Sequence, residues 1–160
     1  MNAVASILLA EDGAEDIILI QKAFEKGGIR NPLFVVRDGA EAIEYLSGGG
    51  RYANRRQYPL PVLLLLDLKM PGMDGFDVLS WIKFQPHLSS LRIVVLTSSE
   101  AIKDVDKAYK LGATSFLVKP MDFTNTVELA KTMVKYWLVM NMSSGPTPVP
   151  AKTKATPGTD

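Results

Sequence analysis

The chain has 160 residues, 47% of them hydrophobic and none of them cysteine, which suits one compact domain and removes disulfides, thiolate metal sites and cysteine nucleophiles. Its 18 basic and 17 acidic side chains leave a formal net charge of +1 with no long block of either sign, so a nucleic-acid-binding face is not indicated. The first apolar stretch, Val4 to Ala10, is too short to span a bilayer and has no Lys or Arg before it; with the lack of cysteine, this leads to the expectation of a soluble cytoplasmic protein.

Short β-rich apolar runs alternate with longer segments of helical period, the pattern of a parallel sheet with helices on both faces. Ala5 to Ala10 reads as the first strand and runs straight into Glu11 and Asp12. Ile17, Ile20, Ala23 and Phe24 then mark one face of a helix that stops at Gly27 and Gly28. Pro32 opens a second strand, Leu33 to Arg37, and Asp38 is placed to cap a helix with Ala42, Ile43 and Leu46 on its inner side, ended by Gly48, Gly49 and Gly50. A polar loop with Arg51, Arg55 and Arg56 follows, expected as a solvated edge.

Consecutive leucines in the third strand, Val62 to Leu66, imply that both its faces are buried, as at the centre of a parallel sheet. Asp67 follows it and precedes Lys69-Met70-Pro71-Gly72, so its carboxylate should emerge where a buried strand meets a turn. Asp74 and Gly75 start a helix with Phe76, Leu79 and either Trp81 or Ile82 inward; Asp74 and Asp77 read as capping or solvated acids. His87, the one histidine, follows Pro86 in a loop and reads as a surface residue. Leu91 to Leu96 is the fourth strand, ending in Thr97-Ser98-Ser99, and Ile102, Val105, Ala108 and Tyr109 describe the next helix, stopped by Gly112.

Phe116 to Val118 is a short fifth strand ended by Lys119-Pro120. Asp122 or Thr124 can cap a last helix whose Val127, Ala130, Met133, Val134, Trp137 and Leu138 fall at three- and four-residue steps. Trp137 and Met140 read as core or dimer contacts. From Ser143 onward the composition turns to Ser, Thr, Pro, Gly and Lys, too polar to offset its own ordering entropy, so residues 1–142 are expected to form the domain and 143–160 a disordered tail.

Right-handed crossovers place the carboxyl ends of parallel strands along one edge, where open α/β sheets keep their chemistry. Glu11, Asp12, Asp67, Thr97 and Lys119 share that edge if the first, third, fourth and fifth strands are neighbours. Two carboxylates about 4 Å apart repel by roughly 4 kcal/mol at an effective dielectric near 20, so a cluster of three demands a hard cation or a lysine. An oxygen-only ligand set without His or Cys suits Mg²⁺, which keeps several waters and accepts a phosphoryl oxygen. A carboxylate beside such an ion is a competent nucleophile toward phosphorus, and the Thr97 hydroxyl and Lys119 ammonium suit the oxygens of a phosphoryl group carried on Asp67. Glu11 or Asp12 could instead cap the first helix, and Asp12 is the better ligand candidate of the two.

In order and spacing, Glu11-Asp12, Asp67 within the stretch Leu66 to Gly75, Thr97, and Lys119-Pro120 resemble the receiver domains of two-component response regulators, over about Ser6 to Met140. The resemblance implies a flavodoxin-like (βα)5 fold: a doubly wound, parallel, five-stranded sheet in the order 2-1-3-4-5. It implies Asp67 as phosphoacceptor, Asp12 as a direct Mg²⁺ ligand, Glu11 as a ligand through water, the Lys69 backbone carbonyl as a further ligand, Lys119 as the phosphate-binding lysine and Thr97 as the switch hydroxyl. The switch aromatic maps to Phe116, which has no hydroxyl, so any signal through it is packing alone. Gly13 and Lys69 stand where many members carry other polar residues, and both border the approach of water to the phosphoryl group.

The stretch Asp38 to Leu46 and the arginine loop look like the single-domain subgroup that includes partners of phytochrome-type histidine kinases. The implied partners are a histidine kinase or histidine phosphotransfer protein, and the implied output surface is the fourth helix, fifth strand and fifth helix, which could also pair two copies. Without a further domain after Asn141, output is expected to pass through a protein partner. Two other classes stay open: a phosphate-independent interaction module on the same fold, and an aspartyl-nucleophile phosphatase. The latter usually needs a second carboxylate two residues after the nucleophile, where this chain has Lys69.

Overall fold

A computed structural model describes residues 5–98, 102–119, 122–133 and 135. Strands β1 (Ile7–Ala10), β2 (Leu33–Val36), β3 (Leu63–Leu66), β4 (Arg92–Thr97) and β5 (Ser115–Val118) alternate with helices α1 (Ala14–Lys26), α2 (Gly39–Ser47), α3 (Gly75–Lys83), α4 (Ile102–Lys110) and α5 (Phe123–Met133). Every strand pair is parallel and the order is β2-β1-β3-β4-β5, the flavodoxin-like arrangement expected from the resemblance.

Side chains alternate across a strand, so the leucines of β3 divide between two cores. Leu63 and Leu65 join Ile7, Leu9, Val94 and Leu96 against Ile17, Ile20 and Phe24 of α1 and Ala130 and Met133 of α5. Leu64 and Leu66 join Leu8, Ala10, Ile93 and Val95 against Ala42, Tyr45 and Leu46 of α2, Val78, Leu79 and Ile82 of α3 and Ala108 of α4. All four β3 leucines are fully buried, at 0% exposure, as a central strand requires. Each such leucine contributes about 1.5–3 kcal/mol of transfer free energy, which makes the middle of the sheet the stiffest support available to anything attached to its ends.

Helix ends follow the sequence closely. Asp38 caps α2 by accepting from the Glu41 amide at 2.8 Å, and Asp74 and Asp77 form a reciprocal capping box at the start of α3. Asp122 caps α5 through the Asn125 amide at 2.8 Å. Val127, Ala130 and Met133 are buried as their spacing predicts, whereas Val134, Trp137, Leu138, Met140 and the tail 143–160 lie outside the described residues, as do Ser99 and Pro120.

Two inward assignments change, and one open alternative is resolved. Tyr45 rather than Ile43 is the fully buried partner of Ala42 and Leu46, because its hydroxyl reaches the Pro59 carbonyl at 2.9 Å and its ring packs with Phe34, Tyr52 and Tyr58. In α3, Ile82 is buried and Trp81 only packs against the edge of that core. Ile102, expected on the inner face of α4, is the first residue of that helix and is 75% exposed.

The arginine loop is also more than a solvated edge. Arg55 donates from Nη1 to the carbonyls of Tyr45 (2.8 Å) and Tyr58 (3.1 Å) and from Nη2 to that of Leu46 (2.9 Å), tying its loop to two carbonyls in the last turn of α2. Arg51 pairs with Glu41 at 2.9 Å, while Arg56 stays exposed. His87 is exposed as expected, with Nε2 3.2 Å from the Leu46 carbonyl. Arg55→Ala should lower stability by about 1–3 kcal/mol, because it strands partly buried carbonyls; urea unfolding followed by circular dichroism measures this, with Arg56→Ala as the near-neutral comparison.

Candidate functional site

Backbone hydrogen bonds carry the sheet one residue past its strands and set the site. The Glu11 amide donates to Val36 (3.0 Å), that of Asp67 to Ala10 (3.0 Å) and that of Lys119 to Thr97 (2.9 Å), so the residues following β1, β3 and β5 are held to neighbouring strand ends. Glu11, Asp67 and Thr97 are buried at this edge, and Asp12 is exposed at its rim.

Glu11, Asp12 and Asp67 each present a carboxylate oxygen, and these oxygens lie within 4.8 Å of one another. Lys119 reaches across to them: its Nζ donates to Glu11 Oε1 at 2.7 Å, to Asp16 Oδ2 at 2.9 Å and to Asp67 Oδ2 at 3.3 Å. The other oxygens of the two buried acids meet backbone amides, Asp67 Oδ1 that of Lys69 at 3.0 Å and Glu11 Oε2 that of Gly13 at 3.1 Å. Helix α1 begins at Gly13 without a side-chain cap, so neither Glu11 nor Asp12 serves as its N-cap.

Burial pushes the Glu11 carboxyl up to about 7, with the nearby Asp67 charge adding to the rise and the Lys119 ammonium opposing it. For Lys119, burial works against the ammonium, but the hydrogen bonds it donates to Glu11 and Asp16 and the charges of Asp67 and Glu11 prevail and hold it above the ordinary lysine range. The amine is therefore a permanent cation at neutral pH. Four acids, Glu11, Asp12, Asp16 and Asp67, face that one cation, and the excess negative charge on hard oxygen ligands fits a divalent metal ion. The acid cluster of Glu11, Asp12 and Asp67 would hold it; when bound, such an ion draws charge from phosphoryl oxygens.

The turn after Asp67 depends on one glycine. The Gly75 amide returns to the Leu68 carbonyl at 3.0 Å, bringing the start of α3 against the chain that carries Asp67. A Cβ on Gly75 would lie 2.5 Å from the Asp67 carbonyl oxygen and 2.7 Å from Leu68 Cα, both backbone atoms that cannot swing aside.

Sequence reasoning placed Glu11, Asp12, Asp67, Thr97 and Lys119 at this edge, and the structure brings all five there. Lys69 presents an exposed side chain while its amide faces Asp67. Phe116 is buried among the residues on the α2, α3 and α4 side of the sheet, opposite Val95, and its amide donates to the Tyr109 hydroxyl at 3.1 Å. Asp16 escaped notice, because an acid in the first turn of a helix already has a sufficient explanation in the helix dipole. Its distance of four residues from Asp12, one helical turn above the strand end, is the signal that could have found it.

The sequence matches the response regulator receiver domain over residues 7–131, and the chain belongs to that family. Receiver domains take a phosphoryl group onto an aspartate with Mg²⁺ and act in two-component signalling. Among relatives, a probable methanogenesis regulatory protein, FilR2 of Methanothrix harundinacea, is 39% identical over 143 residues, covering 88% of each chain. Response regulator Rcp1 of Synechocystis is 36% identical, covering 86% of this chain and 91% of its own; its Mn²⁺-bound crystal structure superposes with a TM-score of 0.75, covering 90% of this chain and 99% of that one at 33% identity. The phosphorylated cyanobacterial phytochrome response regulator RcpA superposes with a TM-score of 0.79 at 35% identity, covering 91% of this chain and 99% of that one.

Gly75→Ala should cost about 1–3 kcal/mol of stability, because the added methyl forces α3 away from the Asp67 backbone. It should also weaken binding of a divalent ion; urea unfolding and a titration with a divalent metal salt together check both effects.

Proposed function

We propose that Asp67 of this chain accepts the phosphoryl group of a phosphohistidine, carried by a histidine kinase or a histidine phosphotransfer protein. One Asp67 carboxylate oxygen bonds to phosphorus, the phosphorus–nitrogen bond breaks, and the imidazole leaves with the electron pair and takes up a proton. The observation that carries this reading is the convergence of Glu11, Asp12, Asp67 and Lys119 on one strand edge, with Lys119 Nζ 3.3 Å from Asp67 Oδ2.

In this reading Mg²⁺ is the ion, with Asp12 and Asp67 as direct ligands, Glu11 acting through water and the Lys69 carbonyl completing the set. Lys119 neutralises and orients the phosphoryl oxygens, and the Lys69 amide fixes the Asp67 carboxylate. The chain's catalysis is confined to its own phosphorylation and dephosphorylation. Residues 1–142 form the receiver and 143–160 its tail, and the protein works in the cytoplasm; no helix among the described residues is long and apolar enough to cross a membrane. Likeness to RcpA and Rcp1 supports a phytochrome-type kinase as the donor.

Thr97 and Phe116 are the switch pair. Thr97 is fully buried at the end of β4, beside the strand that carries Phe116, and its hydroxyl is the group that would turn toward a new phosphoryl oxygen. Residues 99–101, which follow, lie outside the described residues. A shift of Thr97 would let Phe116 exchange its inward packing for another, a bistable rearrangement of the kind phosphorylation switches use. The face that changes is α4, β5 and α5, which exposes Ile102, Val118 and Phe123, apolar side chains suited to a second copy.

Asp67→Asn should abolish labelling by acetyl phosphate in Mg²⁺, read by intact-protein mass; labelling retained in that variant rejects Asp67 as the acceptor. Ile102→Lys should shift beryllofluoride-treated protein toward monomer in sedimentation velocity without altering that labelling.

A further inference from the structure

The ammonium of Lys119 has three protons, and all three are committed. The two short bonds, 2.7 and 2.9 Å, go to Glu11 and Asp16; the long one, 3.3 Å, goes to Asp67, the residue it must serve. Asp16 stands apart from the other partners. Its side chain is 44% exposed, against 3% for Glu11 and 8% for Asp67, and it comes from α1 rather than from a strand end.

Room for this contact is made by Gly13, where a Cβ would lie 3.2 Å from Glu11 Oε2 and 3.4 Å from Asp16 Oδ2. A side chain at that position would press on the Glu11 carboxylate, which would have to give by a few tenths of an ångström, and would lie in contact with that of Asp16. A small cavity of about 30 Å³ between α1 and α5 is bordered by Asp16, Leu96, Lys119 and Ala130. The lysine stem therefore has space beside it.

We propose that Asp16 is a positioning residue that draws the Lys119 ammonium toward α1 and so weakens the site's hold on a phosphoryl group at Asp67. The claim rests on Asp67 being the acceptor. A phosphoryl group adds negative charge at Asp67, a second partner of the same ammonium, so it and Asp16 compete for one cation. Asp16 favours the unphosphorylated arrangement because its bond to Lys119 is strongest there. Of the three partners it is also the one that water can most readily replace, which makes it the contact released as the amine turns. The first-turn acid is thus a determinant of how readily the phosphorylated state is populated.

Beryllofluoride, which mimics the phosphoryl group on a carboxylate, tests this at saturating Mg²⁺ in the full chain, with the Thr97 amide resonance as the readout. Asp16→Asn should bind beryllofluoride about two- to fivefold more tightly than the wild type, the range open to one partly exposed charge, while Asp16→Glu should stay close to wild type. Asp16→Ser, with a smaller neutral side chain, should tighten binding like Asn and serves where the Asn variant folds poorly. A purely structural acid at a helix N-terminus would lower thermal stability and leave the beryllofluoride midpoint where it was. Unchanged or weaker binding in both neutral variants overturns the proposal while leaving Asp67 in place as acceptor. Absence of any saturable response in the wild type overturns the acceptor assignment and this proposal with it.

Discussion

A single ammonium among several carboxylates is the constraint on which the rest of the site depends. Lys119 contacts Glu11, Asp16 and Asp67 at once, and among the described residues it is the cation that pairs with these acids. One positive charge cannot satisfy them and Asp12 together, so the cluster keeps a negative excess in a partly desolvated place. That excess is what prepares the edge for a divalent ion and makes any added phosphoryl group a competitor for the same lysine. Burial of Glu11, which lifts its carboxyl to about 7, shows how near the arrangement lies to taking up a proton instead.

Keeping such repelling groups together requires a rigid frame, and the sheet provides it. The β3 leucines are packed on both faces, between α1 and α5 on one side and α2, α3 and α4 on the other. Because β1, β3, β4 and β5 are parallel and aligned, their ends come to one edge without any loop having to fold back. The energy that holds the acids in place is thus apolar burial below them, transmitted through the backbone bonds of Glu11, Asp67 and Lys119. Gly75 extends this frame to the turn after Asp67 by allowing backbone to pass against backbone.

The side of the molecule carrying α4 and β5 is built differently. Only Ala108 of α4 is buried, and Ile102, Val118 and Phe123 face outward. Lys107 lies over the Phe76 ring at 4.3 Å, a contact between α4 and α3 that a small displacement can make or break. Few buried contacts in α4 mean a low cost of rearrangement there, in contrast with the frame under the acids.

Much of this was legible in the residues alone. The alternation of apolar runs with helical periods, the punctuation by Gly27, Gly48 and Gly112, and the caps at Asp38, Asp74 and Asp122 are local signals, because periodicity and capping act over a few residues. The five edge residues could be gathered for the same reason, since parallel crossovers have one hand and strand ends a single destination. What tertiary structure decided were matters of distance between segments far apart in the chain. Arg55 binds the end of α2 rather than solvent and Tyr45 displaces Ile43 as the inward residue, each because of a neighbour that no local pattern names. Asp16 is the clearest case: its sequence position explains it fully as an N-terminal helix acid, and only the approach of Lys119, 103 residues away, gives its charge a second partner.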